Sequence, residues 1–110
     1  KLTLDVEHFW KFTLNDAPLE VMLDELGLFL QKYGEKLQQV HLSGYQPGHP
    51  VHRPMYCKRD MVFSVLSLLA ESGFDGFLVS EVSAEYLNRR DLVMDTRLIG
   101  SWQEQKVVEV

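Results

Sequence analysis

Gln38-Gln39-Val40-His41-Leu42-Ser43 is the stretch on which the fold turns, because it reads as a strand set between two helices. Upstream, Leu19, Met22, Leu23, Leu26, Phe29, Leu30 and Tyr33 recur at three-four spacing, which gives a helix one apolar face. Asn15-Asp16-Ala17-Pro18 reads as its start, a capping side chain followed by proline in the first turn, and Gly34 as its stop. Downstream, a long loop rich in glycine, proline and histidine runs from Gly44 to about Lys58. A second helix then places Val62, Val65, Leu66, Leu69 and Ala70 on one face, with Gly73 after its end. Farther out, Leu2-Thr3-Leu4-Asp5-Val6 and Phe77-Leu78-Val79-Ser80-Glu81-Val82 read as two more strands. From Arg90 to Gln105 a weaker helical pattern carries Leu92, Val93, Thr96, Ile99 and Trp102.

The order is therefore β, α, β, α, β, α, the signature of parallel strands joined by helical crossovers. Such a run belongs either to an open doubly wound sheet or to part of a barrel. Three strands alone leave two edges and broad apolar helix faces to be covered. A chain that opens on Lys1 and enters a strand at Leu2 is also expected to be a piece of something longer, a single segment over residues 1–110.

Composition sets the class. A hydrophobic fraction of 45% with 25% charged residues is that of ordinary globular protein. The formal net charge of −5 argues against a phosphate-tracking surface and hence against nucleic acid as a partner, although Lys58, Arg59, Arg89 and Arg90 form a local basic group. The single Cys57 precludes an internal disulfide and suits a reducing compartment. No apolar run is long enough to cross a bilayer, so a cytoplasmic location without membrane attachment is expected.

Asp5, His41 and Glu81 each stand at or near the C-terminal end of a strand, where ligands bind in parallel α/β folds. Singly, each has an ordinary reading: Asp5 as a cap, His41 as a hydrogen-bonded histidine, Glu81 as a surface charge. Their recurrence in all three units points instead to one shared site. Two carboxylates and an imidazole suit a single divalent ion, Mn²⁺, Co²⁺, Mg²⁺ or Zn²⁺, without a thiolate.

These residues lie in segments that resemble a known group. Leu4-Asp5-Val6-Glu7-His8 is similar to the Asp-x-x-His strand end of the xylose-isomerase-like TIM barrels, which include sugar (phosphate) isomerases, ketose 3-epimerases and endonuclease IV. Val40-His41-Leu42-Ser43 resembles their following His strand, and Gly73-Phe74-Asp75-Gly76 through Glu81 resembles the segment that ends their last strand. The resemblance implies a (β/α)8 TIM barrel of which this chain supplies about three consecutive C-terminal βα units, the remainder coming from the parent chain or a partner subunit. It implies Asp5, His41 and Glu81 as metal ligands, with a fourth, a glutamate, before residue 1. Glu81 would also move the proton. His8 matches a residue that contacts substrate oxygens and joins Glu81 as a catalytic candidate, and Arg53 matches a substrate-binding arginine. The implied activity is metal-dependent isomerisation or epimerisation of a small polyhydroxylated carbonyl compound.

Two alternatives stand beside that expectation. Endonuclease members carry Asp-x-His after the His strand for further metals, whereas this loop reads Gly48-His49-Pro50-Val51-His52-Arg53-Pro54. A metal-dependent phosphodiesterase would need His49 or His52 as ligands of a second ion. The other alternative is a catalytically empty segment used for binding or assembly, its strand-end polar groups merely hydrogen-bonded. Phe9, Trp10 and Phe12 wall a pocket or pack beneath the next helix, and Tyr45 and Tyr56 flank the long loop as candidates for the site mouth.

Overall fold

A computed structural model describes residues 2–48, 52–82 and 89–109. Three strands, β1 (Leu2–Asp5), β2 (Leu37–Leu42) and β3 (Phe77–Ser80), form a parallel sheet in that order. Between and after them run α1 (Val6–His8), α2 (Leu19–Tyr33), α3 (Arg59–Glu71) and α4 (Arg89–Glu109). The register stacks Leu4, Val40 and Leu78 in one row across the sheet, and Asp5, His41 and Val79 in the next. Because successive strand residues point to opposite faces, these two rows look in opposite directions. Leu4, Val40 and Leu42 belong to a core with Met22, Leu26 and Leu30 of α2 and Val62, Val65 and Leu69 of α3. Met22, Leu26, Val40, Val62 and Val65 are wholly shielded, each such side chain contributing about 1.5–3 kcal/mol of apolar burial. The helices thus lie on one face, and the row of Asp5 and His41 belongs to the other.

The expected TIM barrel, of which this chain would supply about three βα units, is not what the described residues form: they make a small open α/β layer. Among the described residues the sheet has three strands and stays open at β1 and β3. Neighbouring strands twist by roughly 20–25°, so three of them cannot curve back to the first, and closure takes about eight. On the open face, Phe77 is 69% exposed.

Local chemistry explains the boundaries. Val6, read as the end of a strand, instead opens α1, because Asp5 Oδ1 accepts the His8 N–H at 3.0 Å and turns the chain into a helix. The next turn, Phe9–Thr13, is π-helical, with the Leu14 N–H bonded back to the Phe9 carbonyl at 3.0 Å. Asn15 and Asp16 then take φ of 50° and 56°, a left-handed pair tolerated by short polar side chains. Neither caps α2: Pro18 holds the cap position without a side-chain bond, and Asp16 instead accepts from the Tyr45 hydroxyl at 2.6 Å. Gly34 is right-handed and leads into a 3-10 turn, Gly34–Lys36, so α2 tightens rather than stopping at a left-handed glycine. Gly73 does make that stop after α3. With φ of 78°, it bonds Ala70 while Phe74 bonds Leu69, both at 3.1 Å.

The long loop returns through a 3-10 turn, Met55–Lys58, to the start of α3. Gly44 makes that return possible: its N–H donates to the Arg53 carbonyl at 2.7 Å, and a Cβ there would lie 2.1 Å from the Pro54 oxygen. The buried Asp95 of α4 accepts from the Met55 and Tyr56 N–H groups at 3.1 and 3.0 Å and from Ser80 Oγ at 3.1 Å. One carboxylate therefore ties the loop, the end of β3 and α4 together. No helix among the described residues is long and apolar enough to cross a membrane.

Candidate metal centre

Asp5 and His41 are direct register partners across β1 and β2. Val79 of β3 continues the row, and Glu81, two residues on, returns to the same face. Glu81 lies just beyond β3 but is not loose, since its N–H donates to the Leu42 carbonyl at 3.0 Å and prolongs the ladder. The sheet thereby gathers the three strand-end residues read from the sequence. His41 Nδ1 is 2.8 Å from Glu81 Oε2 and 4.0 Å from Asp5 Oδ2, and each residue can offer a ligand atom within 4.8 Å of the others. All three are partly exposed, so solvent and small molecules reach them.

The donor set fits a divalent cation. Cis ligands at roughly 2.1 Å from an octahedral ion are about 3 Å apart, whereas His41 Nδ1 stands at hydrogen-bond distance, 2.8 Å, from Glu81 and at 4.0 Å from Asp5, so it is the donor chemistry that suits an ion. Two carboxylate oxygens and one imidazole nitrogen suit Mn²⁺, Co²⁺, Mg²⁺ or Zn²⁺. The opposite ring nitrogen, His41 Nε2, lies 2.9 Å from Gln39 Oε1. In the sequence, Gln39 is marked only by its spacing of two residues from His41, which places it on the same strand face.

His8, 55% exposed, sits beside the centre with Nδ1 3.6 Å from Asp5 Oδ2. Its ring also faces His52 of the long loop, centroids 6.3 Å apart. With Glu7 these two form a second group of possible ligands within 4.8 Å of one another. Glu7 is only 4% exposed, and its Oε1 accepts from Ser43 Oγ at 2.7 Å and from the His52 N–H at 2.9 Å. Its Oε2 lies 3.7 Å from His52 Nδ1, a buried nitrogen without a hydrogen-bond partner among the described residues. Glu7 carried no sequence signal, being simply the acidic residue of a helix start. His49 lies outside the described residues. Arg53 follows His52 on the returning loop, half-buried, with its carbonyl committed to Gly44.

The aromatic groups divide. Trp10 is 2% exposed, donates Nε1–H to the Ala17 carbonyl at 2.6 Å and meets Tyr45 edge-on at 5.8 Å. Phe9 packs on Phe29, whereas Phe12 is exposed beside His8 at 5.5 Å between centroids. Tyr45 is buried, and that burial with its bond to Asp16 pushes its hydroxyl up to about 12. Tyr56 is likewise pushed up to about 12, chiefly by donating to the Asp91 carboxylate. Both are neutral donors near pH 7 that fasten the loop, not proton carriers at the site mouth.

No family model, no curated protein and no solved structure matches the chain.

Proposed function

We propose that the chain carries a single-metal centre for proton transfer at a carbon beside a carbonyl, acting on a small polyhydroxylated carbonyl compound as sugar isomerases and epimerases do. The observation that carries this reading is the convergence of Asp5, His41 and Glu81 on one partly exposed face at three parallel strand ends. The resemblance of Leu4–His8 and Val40–Ser43 to the strand ends of such enzymes supports it. A bound divalent ion supplies Lewis-acid stabilisation of the oxygen charge that develops when the proton leaves. Asp5, His41 and Glu81 would hold that ion, and Glu81, the most exposed of the three, also takes the proton, which a second acid on the opposite side of the substrate carbon returns. His8 contacts substrate oxygens at the rim, and Arg53 reaches the same substrate from the loop. A cytoplasmic setting suits the free thiol of Cys57.

The test is elemental analysis after dialysis, wild type beside Asp5→Ala, followed by solvent deuterium incorporation into a panel of ketoses. One divalent ion per chain, lost in the variant, together with exchange in at least one ketose, is the expected result. No ion in either protein removes the reading.

Phosphodiester hydrolysis is the second reading, and the Glu7–His8–His52 group beside the first centre favours it. Two adjoining cations would clamp the attacking and leaving oxygens. It predicts two ions per chain and cleavage of an abasic-site duplex, and a metal-loaded chain that leaves the duplex intact eliminates it.

A further inference from the structure

We infer that Gln39 is a positioning residue that dictates which nitrogen of His41 is offered to the metal, an inference that rests on the single-metal reading above. Gln39 and His41 stand two apart on β2, so both project from the same face of the sheet. Gln39 is flanked by its register partners Thr3 and Phe77, and its amide oxygen lies 2.9 Å from His41 Nε2. An acceptor there holds the ring proton on Nε2. In a neutral imidazole the other nitrogen is then a bare lone pair.

That lone pair faces Glu81 Oε2 at 2.8 Å, with Asp5 Oδ2 at 4.0 Å. Two acceptors at that distance repel unless a positive charge, either a second ring proton or a metal cation in its place, is shared between them. Gln39 thus turns the corner formed by Nδ1 and the two carboxylates into a trap for a cation. Without the amide, the ring proton can move to Nδ1 and satisfy Glu81 directly, closing the corner with an ordinary hydrogen bond. Partners of this kind orient ligating histidines generally, and their loss typically weakens metal affinity about 10–100-fold.

The experiment titrates Mn²⁺ alone into the full chain and its Gln39→Met and Gln39→Glu variants, with nitrogen-15 spectra of the histidine rings at about pH 8. Methionine keeps the length of the side chain but is at most a weak hydrogen-bond acceptor; glutamate restores a strong one. Gln39→Met should bind Mn²⁺ about 10–100-fold more weakly and shift the His41 proton to Nδ1, and Gln39→Glu should regain most of the affinity. Unimpaired Mn²⁺ binding by Gln39→Met in a wild-type background that does bind overturns the inference alone. A wild-type chain that binds no Mn²⁺ overturns the single-metal reading and this inference with it. Should Gln39→Met fail to fold, a wild-type ring proton found on Nδ1 is enough to overturn the role of Gln39.

Discussion

Asp5 stands directly opposite His41 across two parallel strands, and its Oδ2 lies 4.0 Å from the His41 Nδ1. The backbone ladder, rather than any flexible loop, sets this separation. Both groups should therefore be needed for cation binding, whereas the fold should survive their replacement as long as residue 5 keeps an oxygen to cap the His8 N–H, as asparagine does. Asp5→Asn and His41→Ala are expected to lose the ion while melting within a few degrees of wild type. In wild type, Mn²⁺ at about 100 times its dissociation constant should add about 2.7 kcal/mol to stability, read as a rise in the urea midpoint. The same rise in His41→Ala would show that binding occurs elsewhere.

Glu81 carries a different burden from Asp5. Its backbone is fixed by the bond to Leu42, while its side chain is among the more exposed of the centre. Glu81→Gln should leave the fold intact and lower deuterium exchange into substrate by about 10²–10⁴-fold, the usual contribution of a positioned proton carrier. Exchange at the wild-type rate would take the proton-transferring role away from Glu81.

The raised Tyr45 hydroxyl gives a stability signature in alkali. The unfolded chain loses its phenolic proton near 10, whereas the folded one holds it to about 12, through burial first and the Asp16 bond second. This contribution is complete below about pH 10 and disappears as pH rises through 12. The urea midpoint of wild type should therefore fall more steeply across that interval than that of Tyr45→Phe. Parallel curves for the two proteins would deny Tyr45 this role.

Asp95 should be the most costly polar residue to remove. Replacing it by alanine strands the Met55 and Tyr56 N–H groups and the Ser80 hydroxyl, all held by that one carboxylate. The Met55 N–H is the fully buried donor of the three, and leaving it without a partner costs about 1–3 kcal/mol, so a loss of that order is expected in denaturant unfolding. A change below about 1 kcal/mol would mean that water replaces the carboxylate in the variant.

Much of this was legible in the residues themselves. The three strands and the helices between them follow from short apolar runs alternating with three-four periodicity, and Asp5, His41 and Glu81 fall at the C-terminal ends of those runs. What escaped depends on contacts between distant segments. Asp95 sits in the helix with the weakest apolar pattern, so nothing local marks it as buried. Glu7 and Gln39 look like ordinary surface residues until Ser43, His52 and His41 are brought beside them. Asn15 and Asp16 have the chemistry of a helix cap but adopt a left-handed turn after the π-helical turn, where Asp16 accepts from Tyr45, twenty-nine residues away in the chain. The barrel expectation failed for another reason: strand-end chemistry is shared by open and closed parallel sheets and does not count strands.

Forty residues separate His41 from Glu81, and no helix or turn contains more than one of the three ligands. The centre is therefore a product of non-local pairing, the slowest kind of contact for a chain to make. A cation at this centre would find little foothold in a partly folded chain, where the three groups are still apart. Its influence would fall on the finished molecule, slowing unfolding more than it speeds folding, because the strands it would hold together part only as the native state opens.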